Sequence, residues 1–123
     1  MIGKIYTSVF PYFDSSVRQM KYKNRPVLII GGPRNNDYTV LPLSTISNSA
    51  NKDPVYDVEI DPVKYPLLNL TKVSYVRTHK QTTMHSANLV TCLSDVKNTY
   101  EDLYIDILLK LEQHNNELME KML

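Results

Sequence analysis

The segment 74–85, which reads SYVRTHKQTTMH, combines basic side chains and hydroxyls without a carboxylate. It contains Arg77, His79, Lys80 and His85 beside five Ser, Thr or Tyr side chains. Cations and hydroxyl donors are the groups that proteins use to bind phosphates and similar anions. Two interpretations follow: a surface that binds an anion, or a solvated loop that has this composition by chance.

Strand geometry assigns part of this segment to one face. Because residues two apart on a strand point to the same side, alternate residues here would share a surface. These residues are Tyr75, Arg77, His79 and Gln81. A polar row of this kind is natural for the floor of a cleft. The alternative is an edge strand whose polar side chains prevent pairing with other chains.

Positive charge is concentrated in the N-terminal three quarters of the chain. Residues 1–94 hold eleven Lys or Arg and six Asp or Glu, a net charge of +5. Residues 95–123 hold three and seven, a net charge of −4. The windows 15–36 and 62–94 contain no acid at all. Such patches are typical of proteins that bind a phosphate-bearing partner, although charge runs also mark ordinary wet surface.

Length and composition limit the class of protein. A chain of 123 residues that is 42% hydrophobic and 22% charged fits a single globular domain, 1–123. No apolar run approaches the roughly 18–20 residues that span a bilayer. The first ten residues are too polar for the apolar region of a signal peptide. We therefore expect a cytoplasmic protein that does not contact a membrane.

Metal and phosphate-loop chemistry are disfavoured. His79, His85 and His114 are scattered along the chain, and one cysteine cannot supply a Cys pair, whereas zinc sites need three or four grouped ligands. The GGP at 31–33 lacks the Lys-Ser/Thr that follows in a phosphate-binding loop. We expect no metal and no cofactor. Cys92 is expected to be a buried strand residue rather than a nucleophile.

The remaining residue types suit cleavage of an RNA phosphodiester through its 2′-hydroxyl. A histidine can exchange protons near neutral pH, and an arginine can stabilise the negative charge that develops on phosphorus. Tyrosine rings can stack on unpaired bases, and the chain has nine tyrosines against two phenylalanines. The alternative for any single tyrosine is packing in the core or at its rim.

Short strands separated by turn residues dominate the first three quarters of the sequence. Pro11 is expected to end the first strand, and Pro42 implies an edge strand or a bulge. The polar residues 14–24 are predicted to form a loop, and 62–70 to hold one helical turn. The predicted strands cover 3–10, 25–32, 38–44, 55–61, 71–79 and 87–94.

A single helix is predicted after the strands. Leu103, Ile107 and Leu111 recur every four residues, which predicts an amphipathic helix at about 99–121. Thr99 and Asp102 resemble a capping box at its start, and the HNN at 114–116 weakens its second half. Since little helix separates the strands, a parallel sheet is excluded. We predict a mainly β (α+β) domain, a small curled β-barrel at about 1–94 with the helix packed on it.

The order of several motifs resembles the MazF/PemK family of toxin endoribonucleases. The motifs are GKIYTSVFPYFDSSVRQMKYKNRPVLIIGG, YTVLPLSTIS and SYVRTHKQTTMH, followed by a Leu-rich helix. The most specific part is Arg25-Pro26 before VLII, ahead of the LST at 43–45. The likeness covers nearly the whole chain. It implies an SH3-like barrel of five to seven strands.

The resemblance also implies catalytic residues. Arg25 matches the family's catalytic arginine, and Ser44 or Thr45 matches its catalytic hydroxyl, with Ser44 slightly preferred. In the 74–85 segment, Arg77 and His79 are the nearest counterparts of polar residues that line the cleft. PemK-type members have an Arg-x-Asp pair there, so His79 stands in place of the acid. Whether His79 or Arg25 would act as the base stays open.

The family implies further partners for the chain. It acts on single-stranded mRNA at short sequences without metal, forms homodimers, and is inhibited by an antitoxin whose acidic, apolar tail occupies the RNA groove. Such proteins inhibit growth as part of toxin–antitoxin systems or mobile elements. The residues that we expect to bind RNA are Lys21, Lys23, Arg34, Tyr75, Lys80, Gln81, Thr82 and His85.

Two alternatives keep the fold and change the activity. CcdB-like proteins have a similar architecture and inhibit a topoisomerase through the end of the C-terminal helix. No tryptophan lies near residue 123, which disfavours this alternative. The other is a catalytically silent barrel that only binds RNA or protein.

Overall fold

The structure, a computed structural model, describes all 123 residues as one antiparallel sheet followed by helix. The strands are β1 (Lys4–Asp14), β2 (Gln19–Arg34), β3 (Asp37–Ser44), β4 (Asp57–Ile60), β5 (Ser74–Arg77), β6 (Thr82–His85) and β7 (Leu89–Asp95). The helices are α1 (Val96–Thr99) and α2 (Glu101–Met122), and short 3₁₀ turns cover Ser49–Asn51, Pro66–Leu68 and Ser86–Asn88.

The seven strands form a curled sheet in the order β4-β5-β3-β2-β1-β7, and β6 pairs with β3 beside β5. Every pairing is antiparallel. The path ends at β4 and β7, so the sheet is an open half-barrel. The predicted fold class, a mainly β curled sheet with a C-terminal helix, is confirmed.

Both faces of the sheet are packed because the central strands are apolar on both sides. Leu28 of β2 and Leu41 of β3 belong to the larger core, which α2 covers with Leu103, Tyr104 and Ile107. The neighbouring residues of β2 and β3 point the other way, since strand side chains alternate. They form a second core with Tyr38 and Met84, whose further members are Val27, Ile29 and Val40.

The first two strands extend further than predicted. Pro11 lies inside β1, opposite Tyr22, instead of ending the strand. There β1 pairs only with β2, because its pairing with β7 reaches no further than Ser8, so Pro11 lies on an edge that tolerates a missing N–H. The predicted loop at 14–24 is also wrong: only 15–18 form a turn, and the rest completes a two-stranded arm.

The connection between β2 and β3 is a tight hairpin turn. Asn35 and Asn36 both have positive φ, 51° and 64°, as a tight two-residue turn requires. Pro42 is not on an edge strand, because β3 is central. It lies where one side of β3 changes partner, after Val40 pairs with β6 and before Leu43 pairs with β5. The backbone N–H that proline lacks is therefore not needed at this position.

Two further expectations about the strands are wrong. The strand β6 (Thr82–His85) lies between the predicted strands 71–79 and 87–94, where no strand was predicted, and it pairs with Asp37–Val40 of β3. Cys92 is exposed rather than buried, because the middle of β7 faces solvent at the end of the sheet.

The helix is confirmed, but its start differs from the prediction. Asp95 is the N-cap residue, and its Oδ1 accepts a hydrogen bond of 3.1 Å from the backbone N–H of Asn98. The predicted capping box of Thr99 and Asp102 is not formed, since α2 begins after Tyr100 without a side-chain cap. The helix continues through 114–116. Neither α1 nor α2 has the length and apolar character needed to cross a membrane.

Candidate functional site

The register of the sheet brings polar side chains from separate strands into one row. Arg25 of β2 lies opposite Ser8 of β1, and Ser44 of β3 lies opposite Tyr75 of β5. The β2–β3 register pairs Val27 with Pro42, and its continuation by two residues places Arg25 opposite Ser44. Directly opposed strand residues have neighbouring side chains. The row therefore links the RP segment with the LST segment.

Two adjoining cavities lie over this row, with volumes of about 270 and 380 Å³. Arg25, Ser44 and Thr45 line both, and we call the two cavities together the cleft. The other lining residues of the cleft are Lys23, Asn24, Pro26, Leu43, Ile46, Ser47, Asn51, Ser74, Arg77 and Lys80. The lining has four cationic side chains and no carboxylate.

Arg25 is a half-buried cation without an anionic partner. No carboxylate forms an ion pair with it, and its guanidinium donates no hydrogen bond within the chain. Its guanidinium lies over the Phe10 ring, whose centroid is 4.9 Å from Cζ. Burial and then the charge of Arg77 lower the pKa of Arg25 below its ordinary value. An anion in the cleft would relieve both penalties.

Arg77 lines the same cleft, but two hydrogen bonds to the protein hold its guanidinium in place. Its Nε donates to Asp57 Oδ1 at 3.1 Å, and its Nη2 donates to the backbone carbonyl of Asn51 at 3.0 Å. These two bonds fix the plane of the guanidinium, because the nitrogens of arginine form a rigid fork. Arg25 and Arg77 thus present two cations to one cavity, one free and one oriented.

The two candidate hydroxyls differ in position. Ser44 is the last residue of β3 and is half-buried, whereas Thr45 follows the strand and is exposed. Both line each cavity of the cleft. Because Ser44 is fixed by pairing with Tyr75 and lies in the row with Arg25, it is the better placed of the two.

Further cations and rings surround the cleft. The ammonium of Lys23 lies 4.8 Å from the centroid of the Tyr12 ring, and burial and Arg25 together lower the pKa of Lys23. The Lys52 ammonium lies 4.9 Å from the centroid of the Tyr75 ring, whose hydroxyl donates to Glu59 at 3.3 Å. Of these two cation–aromatic pairs, only Lys23 lines the cleft, while Tyr75 lies opposite Ser44.

His79 lies near Asp57, as Arg77 does, but it is not among the residues that line the cleft. The strand β5 ends at Arg77, and the chain turns there. The His79 ring packs instead near Tyr56 and near His114 of α2, at centroid distances of 6.2 and 6.4 Å. Its Nδ1 lies 3.8 Å from Asp57 Oδ1. Burial lowers the pKa of His79 despite the nearby carboxylates, which act in the opposite direction.

Several residues that were expected to bind RNA lie outside the cleft lining. Lys21 pairs with Asp14 at 3.2 Å on the two-stranded arm, and Arg34 lies at the β2–β3 turn. Thr82 donates its hydroxyl to the Lys80 carbonyl at 2.9 Å, Gln81 is exposed, and His85 accepts from the Ala87 N–H at 2.9 Å. Of the predicted residues, the structure brings together Lys23, Arg25, Ser44, Thr45, Arg77 and Lys80.

Sequence reasoning missed residues that reach the cleft through loops or a partner strand. Asn24, Ser47, Asn51 and Ser74 line it, and none of them was assigned a role from the sequence. Asp57 orients Arg77 from the adjacent strand, a relation that only the β4–β5 register reveals. A search for a buried acid opposite Arg77 would have found it, had the pairing of these strands been known.

The lining limits the chemistry that the cleft can perform. It contains no His, Cys, Asp or Glu, which are the usual metal ligands and proton acceptors. It does contain guanidinium, ammonium and hydroxyl donors around an open space. Such a set can hold a phosphodiester and stabilise added negative charge.

A solved structure of the Mycobacterium tuberculosis toxin MazF-mt6 is similar to this chain. The alignment covers 92% of this chain and 96% of that one, with a TM-score of 0.65 and 15% sequence identity. No protein-family model matches the sequence, and no curated protein sequence matches it. The chain therefore has the fold of a MazF toxin, as the sequence resemblance predicted.

Proposed function

We propose that the protein is a metal-independent endoribonuclease that cleaves single-stranded mRNA at specific sequences and acts as the toxin of a toxin–antitoxin system. The observation that carries this proposal is Arg25, a half-buried guanidinium without an anionic partner, in one cleft with Arg77 and the Ser44 hydroxyl. The shared fold with a MazF toxin supports it.

In this proposal a phosphodiester binds between the two arginines. The 2′-oxygen of the preceding ribose attacks phosphorus, its proton passes to water, and the 5′-oxygen of the next nucleotide leaves and takes up a proton. The products are a 2′,3′-cyclic phosphate and a 5′-hydroxyl. Arg25 and Arg77 stabilise the charge of the pentavalent transition state, and Ser44 donates a hydrogen bond to one of its oxygens.

We assign the catalytic contribution to charge stabilisation rather than to a histidine base. His79 packs against Tyr56 and His114 and does not line the cleft, which supports a mechanism without a histidine base. Of the two candidates, we therefore favour Arg25, acting as a cation. Arginine stays protonated at neutral pH even when its pKa is lowered.

The surroundings of the cleft suggest how RNA and inhibitor bind. Lys23 and Lys80 line the cleft with the two arginines and would contact phosphates, and Tyr75, opposite Ser44, would provide one stacking surface. An antitoxin tail that carries acidic and apolar side chains would fit the same cationic cleft and exclude RNA. We propose further that the protein is a cytoplasmic homodimer, as the family resemblance implies.

A digest of defined single-stranded RNAs in EDTA tests the nuclease. The proposal predicts cleavage at a short preferred sequence without added metal, with 5′-hydroxyl ends and cyclic phosphates that kinase and phosphatase treatment reveal. A folded protein that leaves a broad set of RNA sequences intact would refute it.

One observation favours a second function, a barrel that binds RNA without cutting it. The cleft lacks an imidazole or a carboxylate that could take the 2′-hydroxyl proton. The same digest distinguishes the two functions, because a binder shifts the RNA in a gel while the RNA stays whole. No feature of the structure favours the topoisomerase inhibitor.

A further inference from the structure

Asp57 is a fully buried carboxylate at the back of the cleft. Its side chain is 0% exposed, and β4 places it directly opposite Arg77 of β5. Buried carboxylates are rare unless they are paired, because removal from water disfavours the charged form. The pairing here joins a buried acid to a cation of the proposed active site.

Both oxygens of Asp57 are occupied, so the carboxylate is fixed in position. Oδ1 accepts from Arg77 Nε at 3.1 Å, and Oδ2 accepts from the backbone N–H of Asp53 at 2.7 Å. The second bond ties the carboxylate to the loop before β4. Asp57 therefore cannot swing with Arg77 and acts as a rigid anchor for it.

Arg77 is held on two sides and free on the third. Nε is bound to Asp57 and Nη2 to the Asn51 carbonyl, while Nη1 donates no hydrogen bond within the chain. The side chain is 14% exposed, and that part lines the cleft beside Arg25. The positive charge of Arg25 would repel a mobile arginine. The bond to Asp57 therefore keeps Arg77 in the cleft.

We propose that Asp57 is a positioning residue for the reaction: it orients Arg77 so that the free edge of the guanidinium meets the scissile phosphate. This inference rests on the proposed function. Asp57 does not line the cleft and does not touch substrate, and of its neighbours Arg77, His79 and Asp53 only Arg77 lines the cleft, so its effect on the reaction passes through Arg77.

Cleavage rates of single and double variants test the inference. Asp57→Asn keeps the shape but removes the charge, and we expect kcat to fall by up to about 100-fold with little change in KM, since misplacing a catalytic group costs on that order. In an Arg77→Ala background, Asp57→Asn should lower kcat no further. Asp106→Asn, on the exposed side of α2, is the matched control and should cut at the wild-type rate.

Two rate results would overturn the inference. They are a wild-type kcat for Asp57→Asn, and equal losses from Asp57→Asn with and without Arg77. If Asp57→Asn fails to fold, Arg77→Lys answers the same question, because lysine keeps the charge but cannot reproduce the fork. The inference predicts a kcat near that of Arg77→Ala for Arg77→Lys, and a wild-type kcat would refute it.

A measurement without RNA separates this inference from the proposed function. In protein labelled with ¹⁵N-arginine, the Nε–H of Arg77 should be protected from exchange with water, and Arg77→Ala identifies its signal among four arginines. The protection should disappear in Asp57→Asn and persist in Asp106→Asn. If the wild type cuts no RNA but shows this pattern, the nuclease fails while the anchor stands. Protection that persists in Asp57→Asn overturns the anchor.

Discussion

At the scale of single residues, the cleft combines one free arginine with one that is anchored. Arg25 has no acid beside it, whereas the carboxylate of Asp57 fixes Arg77. A buried or half-buried arginine is usually paired with an acid, and Arg25 is not. The arrangement therefore suits an external anion, and the hydroxyls of Ser44 and Thr45 line the same cleft.

The two hydroxyls should contribute unequally to cleavage. Ser44→Ala should lower the single-turnover rate by about 10-fold to 100-fold, because a hydrogen bond to a charged group contributes about 1.5–3 kcal/mol. Thr45→Val, which keeps the shape of the exposed neighbour, should change it little. Quenched-flow assays on one RNA substrate measure both, and a greater loss for Thr45→Val would reverse the assignment.

His79 should make folding stability depend on pH. Because burial lowers its pKa below the ordinary 6.5, the unfolded chain takes up the proton first as the pH falls. Its contribution to the free energy of unfolding is therefore complete above pH 6.5 and is lost as the pH falls below it. Urea unfolding at pH 7.5 and 5.5 should show a larger loss for the wild type than for His79→Gln. Equal losses would show that another group is responsible.

At the scale of elements, the strands that could be predicted from the sequence are those whose burial produces a run of apolar residues. The runs at 25–32 and 38–44 are apolar because β2 and β3 are packed on both faces. The outer part of β2 is a two-stranded arm with exposed side chains, so it looked like a loop. The strand β6 is held mainly by its distant pairing with β3, which no local pattern reveals.

The same difference between local pattern and distant pairing explains which site residues could be predicted. Arg25, Ser44, Thr45 and Arg77 were identified because each belongs to a motif whose order along the chain is characteristic. The anchor Asp57 was not, since its role depends on the register of two strands separated by a long connection. The alternation placed His79 on a strand, but β5 ends at Arg77 and His79 follows it in a turn.

The packing of α2 makes a prediction about stability. Ile107 is fully buried between the helix and the sheet, whereas Leu109 is 58% exposed on the same helix. Ile107→Ala should lower the free energy of unfolding by about 2–5 kcal/mol, and Leu109→Ala should change it by less than about 0.5 kcal/mol. Chemical denaturation checks both. Similar losses for the two variants would mean that Leu109 is covered in solution, for example by a second subunit.

At the scale of the whole molecule, charge is divided between the sheet and the helix. The segment 1–94 carries +5 and 95–123 carries −4, and the cleft cations lie on the positive part. For the RNA substrate that we propose, this division would favour the cleft over α2 as the binding surface. Binding of this kind would depend on the salt concentration.

The salt dependence of RNA binding should reflect the number of cations in the cleft. Arg25, Arg77, Lys23 and Lys80 predict a slope of about −3 for log K against log salt, at about −0.7 per phosphate contact in a single strand. Fluorescence anisotropy with a 2′-deoxy substrate, which cannot be cut through the 2′-oxygen, measures the slope. Lys23→Ala should reduce its size by about 0.7. A slope near zero would place binding elsewhere.

The cleavage rate of Arg25→Ala tests the central claim most directly. Arg34→Ala is its matched control, since Arg34 lies at the β2–β3 turn outside the cleft. With both proteins folded and assayed in EDTA on one RNA, Arg25→Ala should cut about 100-fold to 1000-fold more slowly, as expected when one donor to the transition state is removed. Arg34→Ala should match the wild type. An Arg25→Ala protein that cuts at the wild-type rate would contradict the account.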